Sequence, residues 1–354
     1  MMRRNARTET THVRAVAKLA AVMCLAMLVA GAGEVANEPV SRDDIWRAIF
    51  ARPIEPPRAV PPEQAALGHD LFRDARLSSE GRGACVSCHD PDHAFTDGRP
   101  KGQGPRGEPL TRNVPSLFNL AWAKSFFWDG RAATLEDQAR GPILAPPELA
   151  SDFPGIVARL GNDPAMVERF ARAFPDHPAI GERNVLEALA AYEQTLVSGE
   201  TRFDRWVKGD DRALSEQEMR GFGIFVGKGG CVSCHGGWRF TDDNFHDVGL
   251  KSDDPGRSAV PGGAPGLPLF KTPSLREAEH TAPYMHDGSL ATLADVVDHY
   301  TGGLVKRPSL ATNLVRDLRL TDDEKQSLIA FLHTLSSNTA VDEITETTRP
   351  TPKK

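Results

Sequence analysis

Apolar and polar positions along the chain follow a mostly helical pattern. From residue 185 to residue 197, apolar side chains recur every three or four positions, which places them on one helix face. Capping boxes precede two further apolar-periodic segments, since Ser215 and Thr321 are each followed three residues later by Glu. Alternation with the period of two that is typical of strands is scarce. The pattern therefore predicts a mainly α fold.

The second half of the chain repeats short motifs of the first half in the same order. Their intervals also agree, with 14 residues from the Pro to the Asp and 5 from the Asp to the Thr in both halves. The motifs are Pro-Ser-Leu, Asp-Gly and Ala-Thr-Leu, at 115–117, 129–130 and 133–135 and again at 273–275, 287–288 and 291–293. This self-similarity predicts two tandem domains related by duplication.

The predicted organisation places a signal peptide at 1–36 and a polar tail at 341–354. Between them we expect an N-terminal domain at 37–200 and a C-terminal domain at 201–340. A stretch rich in Gly and Pro, residues 251–268, has no counterpart in the first half. We expect it to form a surface loop.

The signal peptide is predicted from five basic residues ahead of an apolar run, residues 19–32, that is too short to span a membrane comfortably. We therefore expect export to the periplasm and no integral membrane segment. Removal of residues 1–36 moves the formal net charge from −6 to −9, because five basic and two acidic residues are lost. An acidic chain without a basic patch is not expected to bind nucleic acid.

The chemistry lies in the sequence Cys-Val-Ser-Cys-His, which occurs at residues 85–89 and again at 231–235. This is the attachment signature of haem c, in which two thiols bond the haem vinyl groups and the histidine ligates iron. The spacing disfavours zinc, since zinc sites place their Cys pairs closer and need no adjacent His. We predict two covalent haems c, attached at Cys85, Cys88, Cys231 and Cys234 with His89 and His235 as axial ligands.

Three further segments accompany the haem motifs: Phe-Trp-Asp-Gly-Arg-Ala at 127–132, Gly-Pro-Ile at 141–143 and Pro-Tyr-Met-His-Asp-Gly at 283–288. With them the chain resembles the bacterial di-haem cytochrome c peroxidase/MauG family, from about residue 67 to residue 335. The resemblance implies that one haem meets hydrogen peroxide, that the other exchanges electrons with a partner, and that calcium lies between the domains. It also makes a homodimer an expectation, because related peroxidases are often dimers.

The resemblance assigns the peroxide reaction to the haem on His89. Glu148, 20 residues after Trp128, matches the distal glutamate that moves a proton between the peroxide oxygens. Gln138 matches a position of the distal pocket, and Trp128 matches the tryptophan that relays electrons between the haems. For each of these residues an ordinary structural role remains the alternative.

Many family peroxidases block the first iron with a distal histidine, which would fall at residues 101–106. This stretch contains none. His93 is the nearest candidate, but it follows the proximal His89 by four residues and is expected to be too close to ligate the opposite haem face. We therefore expect an open first haem that needs no reductive activation.

The second haem is distinguished by the residue eight positions after Thr292. Electron-transferring peroxidases have an iron-ligating methionine there, whereas this chain has Tyr300, as in the MauG-type branch. Leu293 and Val297 lie on the same predicted helix face as Tyr300. The alternative is that Tyr300 is a core aromatic and that the ligand is Met285, His280 or His299.

By the same resemblance, calcium is held by the Asn113 side chain and by the carbonyl groups of Thr281 and Pro283. Two activities remain open within the family. A peroxidase takes electrons from a small redox protein, a cytochrome c or a cupredoxin, whereas a MauG-like enzyme oxidises residues of a protein substrate. Gly229 stands where the methylamine dehydrogenase-maturing enzyme has a surface tryptophan, so we assign no particular substrate. The third possibility is a non-enzymatic di-haem electron carrier or redox sensor, which needs neither Glu148 nor an open iron.

Overall fold

A computed structural model describes residues 41–53 and 56–337. The predicted signal peptide and polar tail lie outside these residues. The described part is mainly α, as predicted, with two short antiparallel strands that pair Phe245 with Lys271. The helices are α1 (Arg42–Phe50), α2 (Pro62–Phe72), α3 (Leu135–Leu144), α4 (Phe153–Gly161), α5 (Pro164–Ala173), α6 (Glu182–Thr195), α7 (Arg202–Val207), α8 (Glu216–Val226), α9 (Leu293–Asp298) and α10 (Asp322–His333), and the strands are β1 (Phe245–His246) and β2 (Phe270–Lys271).

The predicted capping boxes begin the helices for which they were expected. Ser215 accepts a hydrogen bond from the Glu218 amide at the start of α8, and Thr321 accepts one from the Glu324 amide at the start of α10. Each cap satisfies an amide that the helix leaves unpaired, which stabilises it by about 1 kcal/mol. Within residues 41–53 and 56–337, no helix combines the length and the apolar character needed to cross a membrane.

Each half is built around a pair of helices in very close contact at a glycine. A Cβ atom placed on Gly68 of α2 would lie 1.8 Å from the Ala188 carbonyl oxygen of α6. In the second half, a Cβ placed on Gly221 of α8 would lie 1.9 Å from the Ser327 carbonyl oxygen of α10. Only glycine permits such contact between helix backbones.

The backbone confirms the tandem duplication residue by residue. The turn that follows each Pro-Ser-Leu motif uses left-handed conformations at matching places, and an isolated antiparallel bridge closes each turn. The matched left-handed pairs are Asn119 and Glu277, Phe127 and Met285, and Gly130 and Gly288; the bridges are Phe126 with Ala132 and Tyr284 with Leu290. Thr134 and Thr292 then cap α3 and α9 in the same way.

The buried apolar side chains form two main clusters, one from residues 67–196 and the other mostly from residues 203–335. Phe50, at the end of α1, belongs to the second cluster, where its ring stacks on Phe240 at 4.8 Å and meets Phe203 edge-on at 5.5 Å. A residue near the start of the predicted N-terminal domain thus completes the core of the second half. The domain limits at residues 200 and 201 stay a prediction.

Candidate functional site

Both Cys-Val-Ser-Cys-His motifs adopt the same local structure. Each forms a single 3₁₀ turn, Cys85–Ser87 and Cys231–Ser233, and the amide of the following histidine donates to the first cysteine carbonyl at 2.9 Å. The four cysteines of the motifs form no disulfides. Each motif therefore presents two thiols and an imidazole from one short turn.

The two histidines are held in the tautomer that a metal ligand needs. His89 Nδ1–H donates to the Phe95 carbonyl and His235 Nδ1–H donates to the Phe240 carbonyl, both at 2.9 Å. Phe95 and Phe240 have left-handed backbones, with φ of 60° and 55°. Burial lowers the pKa of both histidines, which favours the neutral imidazole. Since Nε2 is left for iron in each case, the residues fit two haems c.

Glu148 lies close to the first haem motif. It follows α3 in a tight turn, in which its amide donates to the Ala145 carbonyl at 3.0 Å. Burial raises the pKa of the half-buried Glu148 carboxyl, against the opposing charge of Arg131. Its negative charge in turn contributes to the raised pKa values of Cys85 and Cys88. A carboxyl group whose pKa is raised by burial thus stands beside the first motif.

Gln138 lies half-buried on α3, ten residues before Glu148. Its side-chain amide bonds to no other residue in the described part of the chain, whereas its backbone amide donates to Thr134 within the helix. The side chain is free to bind an oxygen ligand.

Residues 101–106, the segment that lacks the distal histidine, lie next to Cys88 of the first haem motif and next to the turn that carries Glu148. Gly102 and Leu110 pair across a hairpin at 2.7 Å, and the Gln103 carbonyl lies 3.6 Å from Cys88 Sγ. A Cβ on Gly104 would lie 1.8 Å from the Pro147 carbonyl oxygen, so the hairpin packs directly against the Glu148 turn. His93 is exposed and pairs with Asp90 at 2.9 Å, in its own loop.

Trp128 is held by both halves of the chain. Its indole Nε1–H donates to the Asn113 carbonyl at 2.9 Å. Its own carbonyl accepts from the backbone amide of Lys271, in β2, at 2.7 Å. The indole is half-buried.

Tyr300 follows α9 in a π-helical turn, His299–Gly303. Burial raises the pKa of its hydroxyl, and the charges of Cys231 and Cys234 raise it further, which places the ring near the second haem motif. Turns of this kind occur frequently at functional sites. Two alternative ligands have other partners: His299 Nε2–H donates to the Val248 carbonyl at 2.9 Å, and the exposed His280 contacts the Ser337 carbonyl at 3.3 Å.

Two of the three predicted calcium ligands are adjacent. The Asn113 amide donates to the Pro283 carbonyl at 3.3 Å and to the Arg99 carbonyl at 2.9 Å. Rotation of that amide by 180° turns its oxygen toward the same place, and amide oxygen is a ligand that calcium prefers. Thr281 is half-buried two residues before Pro283, and its carbonyl accepts no hydrogen bond from the Asn113 amide.

Three ionisable residues near the motifs were not predicted from the sequence. His246 Nε2 lies 2.8 Å from Asp242, and both face Cys234. Burial raises the pKa of Glu193, on α6, to about 8, and its charge acts on Cys85. The repeated Phe-Thr-Asp after each haem motif was a signal for Asp242. Nothing local distinguishes Glu193 from the other acidic residues of α6.

Comparison with known proteins gives one consistent result. The family model for di-haem cytochrome c peroxidase matches residues 62–212. The methylamine utilization protein MauG of Methylorubrum extorquens is 42% identical over 346 residues, which are 93% of this chain and 98% of that protein. The cytochrome c551 peroxidase of Nitrosomonas europaea is 36% identical over 295 residues, 81% of this chain and 84% of that protein.

Two solved structures are similar over most of the chain. A MauG-like protein associated with microbial copper homeostasis superposes with a TM-score of 0.73 at 32% identity, covering 83% of this chain and 94% of its own. The diheme peroxidase BthA from Burkholderia thailandensis gives a TM-score of 0.68 at 26% identity, covering 82% and 91%. This protein therefore belongs to the di-haem cytochrome c peroxidase/MauG family and is a di-haem c oxidoreductase.

Proposed function

We propose that this protein is a periplasmic enzyme that reacts with hydrogen peroxide at the haem of His89 and stores or passes on oxidising equivalents through a tyrosine-ligated second haem. The observation that carries the proposal is the position of Tyr300 near Cys231 and Cys234. His299 and His280 bond to other groups. Met285, the remaining alternative, lies in the left-handed turn of residues 284–290.

A haem held by Cys85, Cys88 and His89 would supply the iron and the two electrons that cleavage of the peroxide O–O bond requires. Glu148 accepts a proton from one peroxide oxygen and returns it to the other, so that the O–O bond breaks with release of water. Its raised pKa favours both steps, because it makes the carboxylate a stronger base toward the first peroxide oxygen while the acid form can still donate to the second. Gln138 donates a hydrogen bond to the oxygen beside it.

The absence of a histidine at residues 101–106 supports an open first iron. The hairpin that fills this place packs against the Glu148 turn, and His93 is exposed and paired with Asp90. We infer that peroxide reacts without prior reduction of the second haem. A resting electron paramagnetic resonance spectrum with low-spin signals alone would contradict this inference.

Tyr300 favours MauG-like chemistry over simple electron entry. A phenolate oxygen is a harder and more strongly donating ligand than a methionine sulfur, so it stabilises ferric iron and lowers the reduction potential. We propose that the enzyme oxidises residues of a protein substrate. A second candidate, a peroxidase with a small cytochrome c or cupredoxin as donor, is favoured by Gly229, which replaces the surface tryptophan of the methylamine dehydrogenase-maturing enzyme.

Replacement of the ligand tests the proposal directly. We expect Tyr300→Phe and Tyr300→Met to change the resting absorption of the second haem and to raise its reduction potential. The control Tyr284→Phe removes the hydroxyl of the other tyrosine in the second half, which donates to the Ala278 carbonyl at 2.8 Å, and should leave both unchanged. Identical spectra for Tyr300→Phe and the wild type would exclude Tyr300 as the ligand.

The response to stoichiometric peroxide separates the activities. A long-lived oxidised form with slow turnover of reduced cytochrome c supports the MauG-like reaction, and fast turnover supports the peroxidase. No spectral change would mean that the protein is a carrier or a sensor.

We further propose that residues 1–36 are removed on export and that calcium binds at Asn113, Thr281 and Pro283. The contact of Asn113 with the Pro283 carbonyl supports the calcium site. N-terminal sequencing of the protein from the periplasm tests the first proposal. Elemental analysis of the wild type and of Asn113→Ala tests the second, since equal calcium contents would contradict it.

A further inference from the structure

The Gly- and Pro-rich stretch predicted to be a surface loop begins with a segment, residues 252–257, that binds the other half of the chain. Arg112 donates to both Asp254 oxygens, from Nε at 2.7 Å and from Nη2 at 2.8 Å. The remaining terminal nitrogen of Arg112 donates to Asp129 at 2.6 Å. The three side chains are only 17%, 18% and 7% exposed, so the guanidinium is bound by two carboxylates largely out of water.

A second residue of the same segment binds the backbone beside Trp128. Arg257 Nη1 donates to the Asp129 carbonyl at 2.9 Å, and its guanidinium lies over the Phe245 ring at 4.1 Å. Gly130 lets both groups approach, since a Cβ there would lie 2.2 Å from the Phe245 ring and 2.9 Å from Arg257 Nη1. Asp129 is next to Trp128 in the chain. Arg112 thus binds its carboxylate and Arg257 binds its backbone carbonyl.

These contacts converge on the Trp128 indole. Asn113, whose carbonyl accepts from the indole Nε1–H, is the neighbour of Arg112. Asp254 therefore acts on the acceptor of the indole through Arg112, and on the backbone of the indole through Asp129. A third contact is the hydrogen bond that the Lys271 backbone amide donates to the Trp128 carbonyl.

We propose that residues 252–257 form a positioning strap for Trp128, in which Asp254 and Arg257 set the place and the hydrogen bond of the indole between the two haem sites. The predicted effect on the reaction rate rests on the relay role of Trp128. The predicted effect on the indole hydrogen bond does not. Asp254 and Arg257 are positioning residues, since they act through Arg112, Asp129 and Asn113 and touch no reacting atom.

The structural part is tested by the hydrogen bond of the indole in the haem-loaded protein. Ultraviolet resonance Raman spectroscopy measures the band that reports the strength of the indole N–H bond, and subtraction of the Trp128→Phe spectrum isolates Trp128. We expect Asp254→Asn to shift or broaden this band, because the negative charge that binds Arg112 at this position is lost. The matched control is Asp253→Asn, which makes the same change at an exposed neighbour and should leave the band in place.

Arg257→Lys provides a second variant that keeps the charge, in case Asp254→Asn folds poorly. Lysine lacks the planar group that lies over Phe245 and donates to the Asp129 carbonyl, so the band should shift again. Unchanged bands in both variants, with folding verified by thermal unfolding, would overturn the strap.

The functional part is tested by stopped-flow kinetics with peroxide and a reduced donor. We expect Asp254→Asn to lower kcat about tenfold or more with an unchanged KM for peroxide, since a displacement of about 1 Å can slow a positioned reaction 10²-fold. Asp254→Glu should restore part of the rate. If Trp128→Phe lowers the rate while Asp254→Asn does not, the functional part of the strap is overturned and the relay stands. If the Raman band shifts but neither Trp128→Phe nor Asp254→Asn lowers the rate, the structural part of the strap stands and the relay role of Trp128 is excluded.

Discussion

Gly221→Ala and Gly223→Ala, two substitutions on one helix, should have opposite effects on stability. Both exchange glycine for the best helix former, a change that by itself stabilises a helix by about 1 kcal/mol. At Gly223 a Cβ meets no atom within 4 Å. We therefore expect Gly223→Ala to raise the free energy of unfolding by about 0.5–1 kcal/mol.

At Gly221 the added Cβ would lie 1.9 Å from the Ser327 carbonyl oxygen and 2.8 Å from Phe331 Cβ. Contacts of this kind are essentially never shorter than 3.0 Å, so α8 and α10 must separate by roughly 1 Å. Overpacking costs about 1–3 kcal/mol. A gap of about 1 Å between the helices also removes up to half of the dispersion energy of each contact across it. After the gain in helix propensity, we expect a net loss of about 2 kcal/mol.

Thermal unfolding of the haem-loaded proteins checks the pair. A loss of about 2 kcal/mol lowers Tm by about 3 °C in a protein of this size, whereas Gly223→Ala should raise Tm by about 1 °C. Should Gly221→Ala unfold at or above the wild-type temperature, the contact between the helix backbones would not be the reason for glycine at this position.

Two other substitutions are expected to act on activity and on stability. Glu148→Gln should slow the peroxide step by about 10²–10⁴-fold, whereas Glu63→Gln, at an exposed site of α2, should leave it unchanged; stopped-flow kinetics measure both. Because burial raises the pKa of Glu148, the wild-type rate should fall as the pH drops through a value above the usual carboxyl range, and a pH profile without this limb would contradict the role. Asp204→Asn breaks an ion pair with Arg276 that is 6% and 0% exposed and bidentate at 2.7 Å, so we expect a loss of about 3–5 kcal/mol in denaturant unfolding. Burial opposes ionisation of Asp204, but the Arg276 bond holds its pKa below the usual range, so this stability is present above the unfolded pKa and is lost as the pH falls through the lower folded value.

Local patterns in the sequence predicted the local features of the structure. Capping boxes at Ser215 and Thr321 begin helices, and the repeated motifs form turns with matching left-handed residues. The sequence contains a further repeat. Gly68 and Gly221 are each followed four residues later by a buried phenylalanine, Phe72 and Phe225. That repeat marks the contact between helices in each half.

Contacts between distant segments were not predictable. Arg112 and Asp254 are 142 residues apart, and the stretch of Gly and Pro around Asp254 gives no sign of a buried ion pair. The approach of Glu148 to the first haem motif also depends on the path of the chain after α3, so the family resemblance indicated it but no local pattern did. Periodicity and capping report the residues within a helix or turn, whereas these contacts depend on which segments the whole fold brings together.

The placement of Phe50 has a consequence for dissecting the protein into fragments. Its ring stacks on Phe240 and meets Phe203 and Phe222 edge-on, within 5.8 Å of each. A fragment that starts at residue 201 lacks this ring and opens a cavity of the size of a phenyl group, which typically costs about 3–5 kcal/mol. The C-terminal half should therefore fold on its own only when the peptide of α1 is supplied in trans or fused to it, so the last part of the chain to be synthesised depends on one of the first.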